Sequence, residues 1–176
     1  MRYDMAPGLA GAIRISGPIG SPQGREAAIA IDWRPVDAVP ITLTIERRAG
    51  FDRGARDAFA AGIYGGVGGV PLPLGTELDG YAQAGLVGLK RRDAYFDGAA
   101  RIERAVMTSR RTRIGAGVGL WGGAQPGVSR LDIGPQLVVH VPAGPGAFRI
   151  AAEWRERIAG NASPGSGPAL SIGADF

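Results

Sequence analysis

The chain has 176 residues, with 20 Lys and Arg against 16 Asp and Glu for a net charge of +4, and it contains no cysteine, 30 Gly and 13 Pro. That composition excludes a disulfide framework and thiolate metal sites, and it argues against a helical bundle, because Gly and Pro are the two poorest helix formers. The arginines are spread along the whole chain and many alternate with carboxylates, so a basic stripe for nucleic acid is not expected.

The dominant pattern is of period two. Between Glu26 and Pro35 one face carries Ala27, Ile29, Ile31 and Trp33, and the other carries Glu26, Ala28, Ala30, Asp32 and Arg34. Ile41, Leu43 and Ile45 oppose Thr42, Thr44 and Glu46 in the next run. Farther on, Leu131, Ile133, Pro135, Leu137, Val139 and Val141 oppose Arg130, Asp132, Gly134, Gln136 and His140, and Phe148, Ile150, Ala152 and Trp154 oppose Arg149, Glu153 and Arg155. Such alternation describes strands with one apolar and one polar face. Turn sequences separate the runs, among them Gly20-Ser21-Pro22-Gln23-Gly24, Pro71-Leu72-Pro73-Leu74-Gly75, Gln125-Pro126-Gly127 and Asn161-Ala162-Ser163-Pro164-Gly165. Ten strands are predicted, roughly at 8–16, 26–35, 40–48, 57–68, 77–88, 95–106, 112–122, 129–141, 147–159 and 168–176, with no helix of three turns and neighbouring strands joined by short turns.

Both a soluble sandwich and a membrane barrel alternate in this way. Runs of about nine to thirteen residues match a tilted strand that spans a bilayer, whereas strands of water-soluble sheets average about five or six. The strand number is even, as in single-chain bacterial barrels. The charges on the apolar face, Arg47, Arg104 and Glu156, fall near strand ends, where a long side chain reaches past the hydrocarbon. No run of 18 apolar residues offers a transmembrane helix. Met1-Arg2-Tyr3-Asp4-Met5-Ala6-Pro7-Gly8 lacks the apolar core of a signal peptide, so the chain reads as a mature form or as a domain of a longer precursor. The expected fold is all-β, an up-and-down antiparallel transmembrane β-barrel of about ten strands in which residues 1–176 form one domain.

The final segment, Gly167-Pro168-Ala169-Leu170-Ser171-Ile172-Gly173-Ala174-Asp175-Phe176, resembles the C-terminal β-signal of bacterial outer-membrane barrels. The resemblance implies an outer-membrane location and insertion by the barrel assembly machinery, with Leu170, Ile172 and Phe176 as the assembly signal. More loosely, Tyr81-Ala82-Gln83-Ala84-Gly85, Val118-Gly119-Leu120-Trp121-Gly122-Gly123-Ala124-Gln125 and Ser129-Arg130-Leu131-Asp132-Ile133-Gly134-Pro135 look like segments of barrels appended to tetratricopeptide-repeat outer-membrane proteins. That group is associated with exopolysaccharide secretion and phage adsorption, although no helical repeat precedes the strands here. This resemblance implies a membrane anchor or export-associated domain, with outer-membrane lipid, lipopolysaccharide, polysaccharide or an export complex as partners. An outer-membrane lipid-modifying enzyme and a soluble β-sandwich binding module are the alternatives.

Charged residues in the polar phase are the candidate lumen lining: Arg14, Asp32, Arg34, Glu46, Arg48, Asp97, Arg101, Glu103, Arg113, Asp132, Arg149, Glu153 and Arg155, with Glu77, Asp79, Arg130, Arg157 and Asp175 in the same phase. They form either a selective channel wall or a ladder of Arg–carboxylate pairs that fills a narrow interior, and the filled interior is expected. Tyr64, Tyr81 and Trp121 are expected over the bare stretches left by Gly62, Gly115, Gly117 and Gly119. Lys90, Arg91 and Arg92 form the sharpest basic cluster and could meet lipopolysaccharide phosphates. Gly117–Gly122 fits G-x-G-x-x-G but lies in a strand pattern without the helix that a dinucleotide loop opens. His140, the only histidine, could join Ser171 and Asp175 in an acyl-hydrolase arrangement, yet Ser171 has no nucleophile-elbow context, so no catalytic residue is assigned. One His without Cys supports no metal site, and no cofactor is expected. Asn161-Ala162-Ser163 fits a glycosylation pattern but reads as a turn.

Overall fold

The computed structural model describes residues 1–16, 26–51, 57–88, 92–109, 112–143 and 146–175, of which the side chains of Arg2, Ser16, Ala143, Gly146, Ala147, Ala174 and Asp175 are not described. Among them are eleven strands: β1 (Arg2–Ala6), β2 (Leu9–Ser16), β3 (Glu26–Trp33), β4 (Ile41–Gly50), β5 (Ala58–Leu72), β6 (Thr76–Val87), β7 (Asp93–Ser109), β8 (Thr112–Gln125), β9 (Val128–Ala143), β10 (Gly146–Gly160) and β11 (Gly167–Asp175). They form one antiparallel sheet in sequential order from β1 to β11, with β1 and β11 as its outer strands. The all-β, up-and-down reading of the sequence is therefore correct.

The strand count is corrected from ten to eleven among the described residues, so the even number that the sequence reading invoked is not observed. β1 went unread because the alternation of Tyr3 and Met5 with Arg2 and Asp4 covers only 5 residues, too short a run to stand out, and it pairs with β2 through a tight turn at Pro7-Gly8. Gly8 takes φ +71, a conformation that strains residues with a Cβ, and its carbonyl accepts from the Arg34 N–H at 2.7 Å. Several strands outrun the sequence estimate, with β5 and β10 at 15 residues, β9 at 16 and β7 at 17. Between β5 and β6 the predicted turn is a single 3-10 turn, Pro73–Gly75, closed by the Thr76 hydroxyl, which donates to the Pro73 carbonyl at 2.9 Å.

The chain divides into two compact units. Met1–Gly66 with Ala82–Phe96 forms the first, and Val67–Tyr81 with Asp97–Phe176 the second. In the first, the register aligns Ala12 with Ala30, Ala30 with Glu46 and Glu46 with Ala60, so small and charged residues share one face. The opposite face aligns Leu9, Trp33, Leu43 and Ile63 in one row and Gly11, Ile31, Ile45 and Ala61 in the next. In the second unit, Gly117, Gln136, Glu153 and Ala169 form one row of the polar face, while Ile114, Val139, Ile150 and Ile172 form a row of the apolar face.

Burial is inverted relative to a water-soluble sheet. The polar face holds what is covered: Ala10, Ala28, Ala30, Ala60, Val138 and Ala151 together with Asp32, Thr42, Glu46, Glu103, Asp132, Gln136 and Glu153. The largest fully buried side chains are Val138 and Asp132, whereas Ile29 is 69% exposed, Ile45 64% and Leu170 69%. The rest of the apolar phase follows this pattern, with Ile31, Trp33, Leu43, Ile133, Leu137, Phe148, Ile150, Trp154 and Ile172 exposed and Leu131 and Val139 half-buried.

Close backbone approach also constrains β9. A Cβ at Gly134 would overlap the Trp154 carbonyl of β10, whereas one at Gly167 would meet nothing within 4 Å. Gly134→Ala is expected to destabilise the fold by about 1–3 kcal/mol, the usual cost of overpacking, and Gly167→Ala to leave it nearly unchanged. Equilibrium denaturant unfolding of the two variants checks this.

Candidate functional site

The polar face carries ion pairs, some between residues two apart on one strand and others set by the register between strands. In the first unit, Arg14 on β2 donates to both Asp32 oxygens at 2.9 Å and reaches Glu46 on β4 at 3.5 Å. Arg48 donates to Glu46 from Nε at 2.5 Å and reaches Glu26 at 3.4 Å. The Tyr64 hydroxyl donates to Asp32 at 3.1 Å. These contacts need small neighbours, and the flanking inward positions are Ala28, Ala30 and Ala60.

In the second unit, Asp132 lies between two arginines, taking Arg157 Nε at 2.7 Å and Arg130 Nε at 2.8 Å. Arg157 continues to the carbonyls of Ala162 (2.6 Å) and Pro164 (2.8 Å), tying the turn after β10 to the face. Arg155 grips Glu153 through two nitrogens at 2.8 and 2.5 Å and stacks 4.6 Å over the Trp121 ring. Arg113 pairs with Glu77 at 2.7 Å, His140 Nε2 lies 3.0 Å from Glu103, and Arg149 donates to Gln136 at 3.2 Å.

Arg14, Asp32, Glu46, Arg48, Glu103, Arg113, Asp132, Arg149, Glu153 and Arg155 thus meet partners on the face that the sequence assigned to them. Asp97 and Arg101 are half-buried in the second unit. Arg34 departs from the expectation. It lies beyond the end of β3, exposed, in an open cleft of ≈ 430 Å³ lined by Asp4, Met5, Ala6, Pro7, Gly8, Leu9, Arg34 and Asp37. Arg34 follows Trp33, the last residue of β3, so the alternation of that strand no longer fixes its face.

The glycine positions are filled, partly by residues the sequence did not nominate. A Cβ at Gly119 would overlap the Trp121 ring, as expected, but one at Gly115 would overlap the Glu103 carboxylate. The space at Gly62 and Gly85 belongs to Tyr95, whose hydroxyl would lie 3.0 Å from a Cβ at Gly62. Tyr95 falls in the same unit as both glycines, a proximity that period-two counting along one strand cannot reveal. Tyr64 caps Asp32 instead, and Tyr81 is exposed.

The remaining candidates separate. Arg92 is exposed, and Lys90 and Arg91 lie outside the described residues. Leu170 and Ile172 are exposed on β11, and Phe176 lies outside the described residues. Gly117–Gly122 is extended within β8. His140 is engaged by Glu103, and the Ser171 hydroxyl accepts from Arg155 at 3.4 Å, while the Asp175 side chain is not described. Among the described residues no group of three His, Cys, Asp or Glu side chains could hold a metal ion. Asn161 works as a turn clamp: its Oδ1 accepts from the Ser129 N–H and its Nδ2 donates to the Gly127 carbonyl, both at 2.9 Å.

The three charges on the apolar face are treated differently. Arg47 stacks 4.9 Å from the Phe59 ring centroid and pairs with Asp57 at 3.5 Å, close to the end of β4. Glu156 accepts from Trp154 Nε1 at 3.2 Å and from the Ser166 hydroxyl at 2.9 Å. Arg104 is exposed. Compared with protein families, characterised proteins and solved structures, the chain matches none.

Removing a carboxylate that holds two buried arginine contacts leaves uncompensated charge. Asp132, 1% exposed, is the clearest case. Asp132→Asn is expected to cost about 3–5 kcal/mol, whereas Asp57→Asn, which breaks the exposed pair with Arg47, costs about 0–1 kcal/mol. Denaturant midpoints of the two variants, measured side by side, decide it.

Proposed function

We propose that this chain is the membrane-embedded part of a bacterial outer-membrane protein, a closed β-barrel that serves as an anchor or export-associated domain without catalysis of its own. The observation that carries this reading is the inverted burial. A fully buried Ile, Leu or Phe contributes about 1.5–3 kcal/mol relative to an exposed one, and in water the exposed rows of β2–β4 and β8–β11 would forgo that contribution at more than a dozen positions. Lipid acyl chains restore it. Strands of 12 to 17 residues from β5 to β10 exceed the roughly 9–11 that a tilted strand needs to cross the hydrocarbon.

Closure follows from the same reading. A lipid-exposed strand edge leaves backbone N–H and C=O groups without partners, at several kcal/mol each, so a sheet in a bilayer must pair its outer strands. In this reading β1 and β11 close the sheet, the ion-paired face becomes the interior, and the alternating apolar face meets lipid. Lipopolysaccharide phosphates are the proposed partner of the basic Lys90-Arg91-Arg92 segment. The β11 residues Leu170 and Ile172, with Phe176 following in sequence, are the proposed recognition element for the barrel assembly machinery. Polysaccharide or an export complex is the partner that the resemblance of the central strands favours.

Two measurements test the reading. The protein is expected to float with phospholipid vesicles after refolding and to precipitate in buffer without detergent. Ile31→Arg or Ile45→Arg, each in mid-strand on the apolar face, is expected to destabilise the vesicle-inserted form by about 2–4 kcal/mol. A monodisperse, folded protein in plain buffer would refute the membrane reading and favour a soluble binding module. In planar bilayers the domain is expected to conduct poorly, because ion pairs cross the interior; steady porin-like conductance would replace the anchor with a channel.

A further inference from the structure

The β1–β2 turn and the segment after β3 line the open cleft of ≈ 430 Å³ in the first unit. Two kinds of chemistry meet in it. Met5 and Leu9 supply an apolar part that is continuous with the apolar face of the sheet. Leu9 aligns with Trp33, and Met5 lies over Gly11, where a Cβ would be 3.8 Å from its Sδ and Cε. Asp4, Arg34 and Asp37 supply charges of both signs. Arg34 and Asp37 are exposed, and neither forms an ion pair among the described residues.

The charged part is held in place by its backbone. Gly8 accepts from the Arg34 N–H at 2.7 Å, and a Cβ at Gly8 would overlap the Arg34 carbonyl. Asp37 sits in a turn closed by the Val39 N–H, which donates to the Val36 carbonyl at 3.1 Å. Pro35, between the two, has its φ fixed by its ring. The backbone is thus ordered before a ligand arrives, and binding costs mainly the ordering of side chains. A ligand that satisfies this cleft carries an anion and a cation beside an apolar part.

We propose that the cleft seats the headgroup of a phospholipid bearing a primary ammonium, a phosphatidylethanolamine, at the edge of the apolar face; this rests on the membrane reading above. Arg34 donates to the phosphate in a charge-assisted bond. Asp37 accepts from the ammonium, and Met5 and Leu9 meet the start of the acyl chains. A choline headgroup has no N–H to offer Asp37, and a glycerol headgroup has no cation. The volume of ≈ 430 Å³ falls in the range of small-molecule sites, about 300–1,000 Å³, and exceeds what a bare phosphate fills. Trp33, half exposed in the row of Leu9, is an aromatic of the kind that sits where hydrocarbon gives way to headgroups.

Native mass spectrometry of the full chain, released from micelles doped with phosphatidylethanolamine, phosphatidylglycerol and phosphatidylcholine of identical acyl chains, tests the site. One phosphatidylethanolamine per chain is expected, preferred about threefold over each of the others, the size of one exposed charge pair. Arg34→Gln is expected to weaken retention of all three about tenfold, the loss of a charge-assisted bond. Asp37→Asn is expected to equalise phosphatidylethanolamine and phosphatidylglycerol while both still bind, a change of ratio that loss of folding cannot imitate. Arg104→Gln, in the second unit, is expected to leave the preference unchanged. Water-soluble phosphoethanolamine, which lacks the acyl chains, is expected to bind more weakly than the lipid. No preference among the lipids, an unchanged ratio in Asp37→Asn, or equal binding of phosphoethanolamine would each overturn the proposal. Flotation with vesicles of phosphatidylcholine alone separates the two failures. A chain that floats but shows no preference loses this site and keeps the membrane reading, whereas a chain that stays in solution loses both.

Discussion

The five buried carboxylates among the described residues, Asp32, Glu46, Glu103, Asp132 and Glu153, are each met by an arginine or histidine. Some partners lie two residues away on the same strand, as Arg155 does from Glu153; others lie across strands, as Arg14 does from Asp32. A carboxylate without its partner would bear the penalty of a charge removed from water, several kcal/mol even after relaxation. The cross-strand pairs therefore discriminate among registers. A shift of one residue in any strand would carry its charges to the apolar face and bring isoleucines into the ionic one.

Because charges occupy one face, the stabilisation that a soluble sheet draws from a dry core of large residues is missing there. Alanine and glycine dominate the covered positions because the guanidinium groups need room, and Gly115 and Gly119 yield their space to Glu103 and Trp121. The large aliphatic and aromatic side chains are on the other face, with Trp33 and Trp154 each about half exposed. Hydrogen bonding in the sheet satisfies the backbone but adds little net stability in water. The large apolar side chains thus lie on the face that the sheet itself leaves uncovered.

Much of this was legible in the sequence because period two is short. Alternation within Glu26–Trp33 or Phe148–Arg155 assigns faces without knowledge of any distant residue, and those faces are the ones observed. Sequence reading failed where the information is not local. The alternation of β1 runs for only 5 residues, and its place in the sheet depends on pairing with β2. Tyr95 fills the space at Gly62 and Gly85 from another strand, and Arg34 belongs to a cleft formed with Asp4 and Asp37. The pairing of Asp132 with two arginines was visible as composition, but which arginines, and how much turn structure Arg157 organises, depends on the register and the turn after β10. That Gln136 Nε2 and Trp121 Nε1 are buried without partners was likewise invisible, since it depends on what surrounds them in three dimensions.

Three tryptophans allow the central claim to be tested in one experiment. Trp33 and Trp154 lie on the apolar face, whereas Trp121 lies on the polar face, 5% exposed beneath Arg155. Single-tryptophan variants, refolded into vesicles of phospholipid brominated at mid-chain, report contact with hydrocarbon through fluorescence quenching. Strong quenching of Trp33 and Trp154 with little quenching of Trp121 is the predicted result. Equal quenching at all three, or protection of Trp33 and Trp154, would contradict the account and remove lipid as the partner of the apolar face.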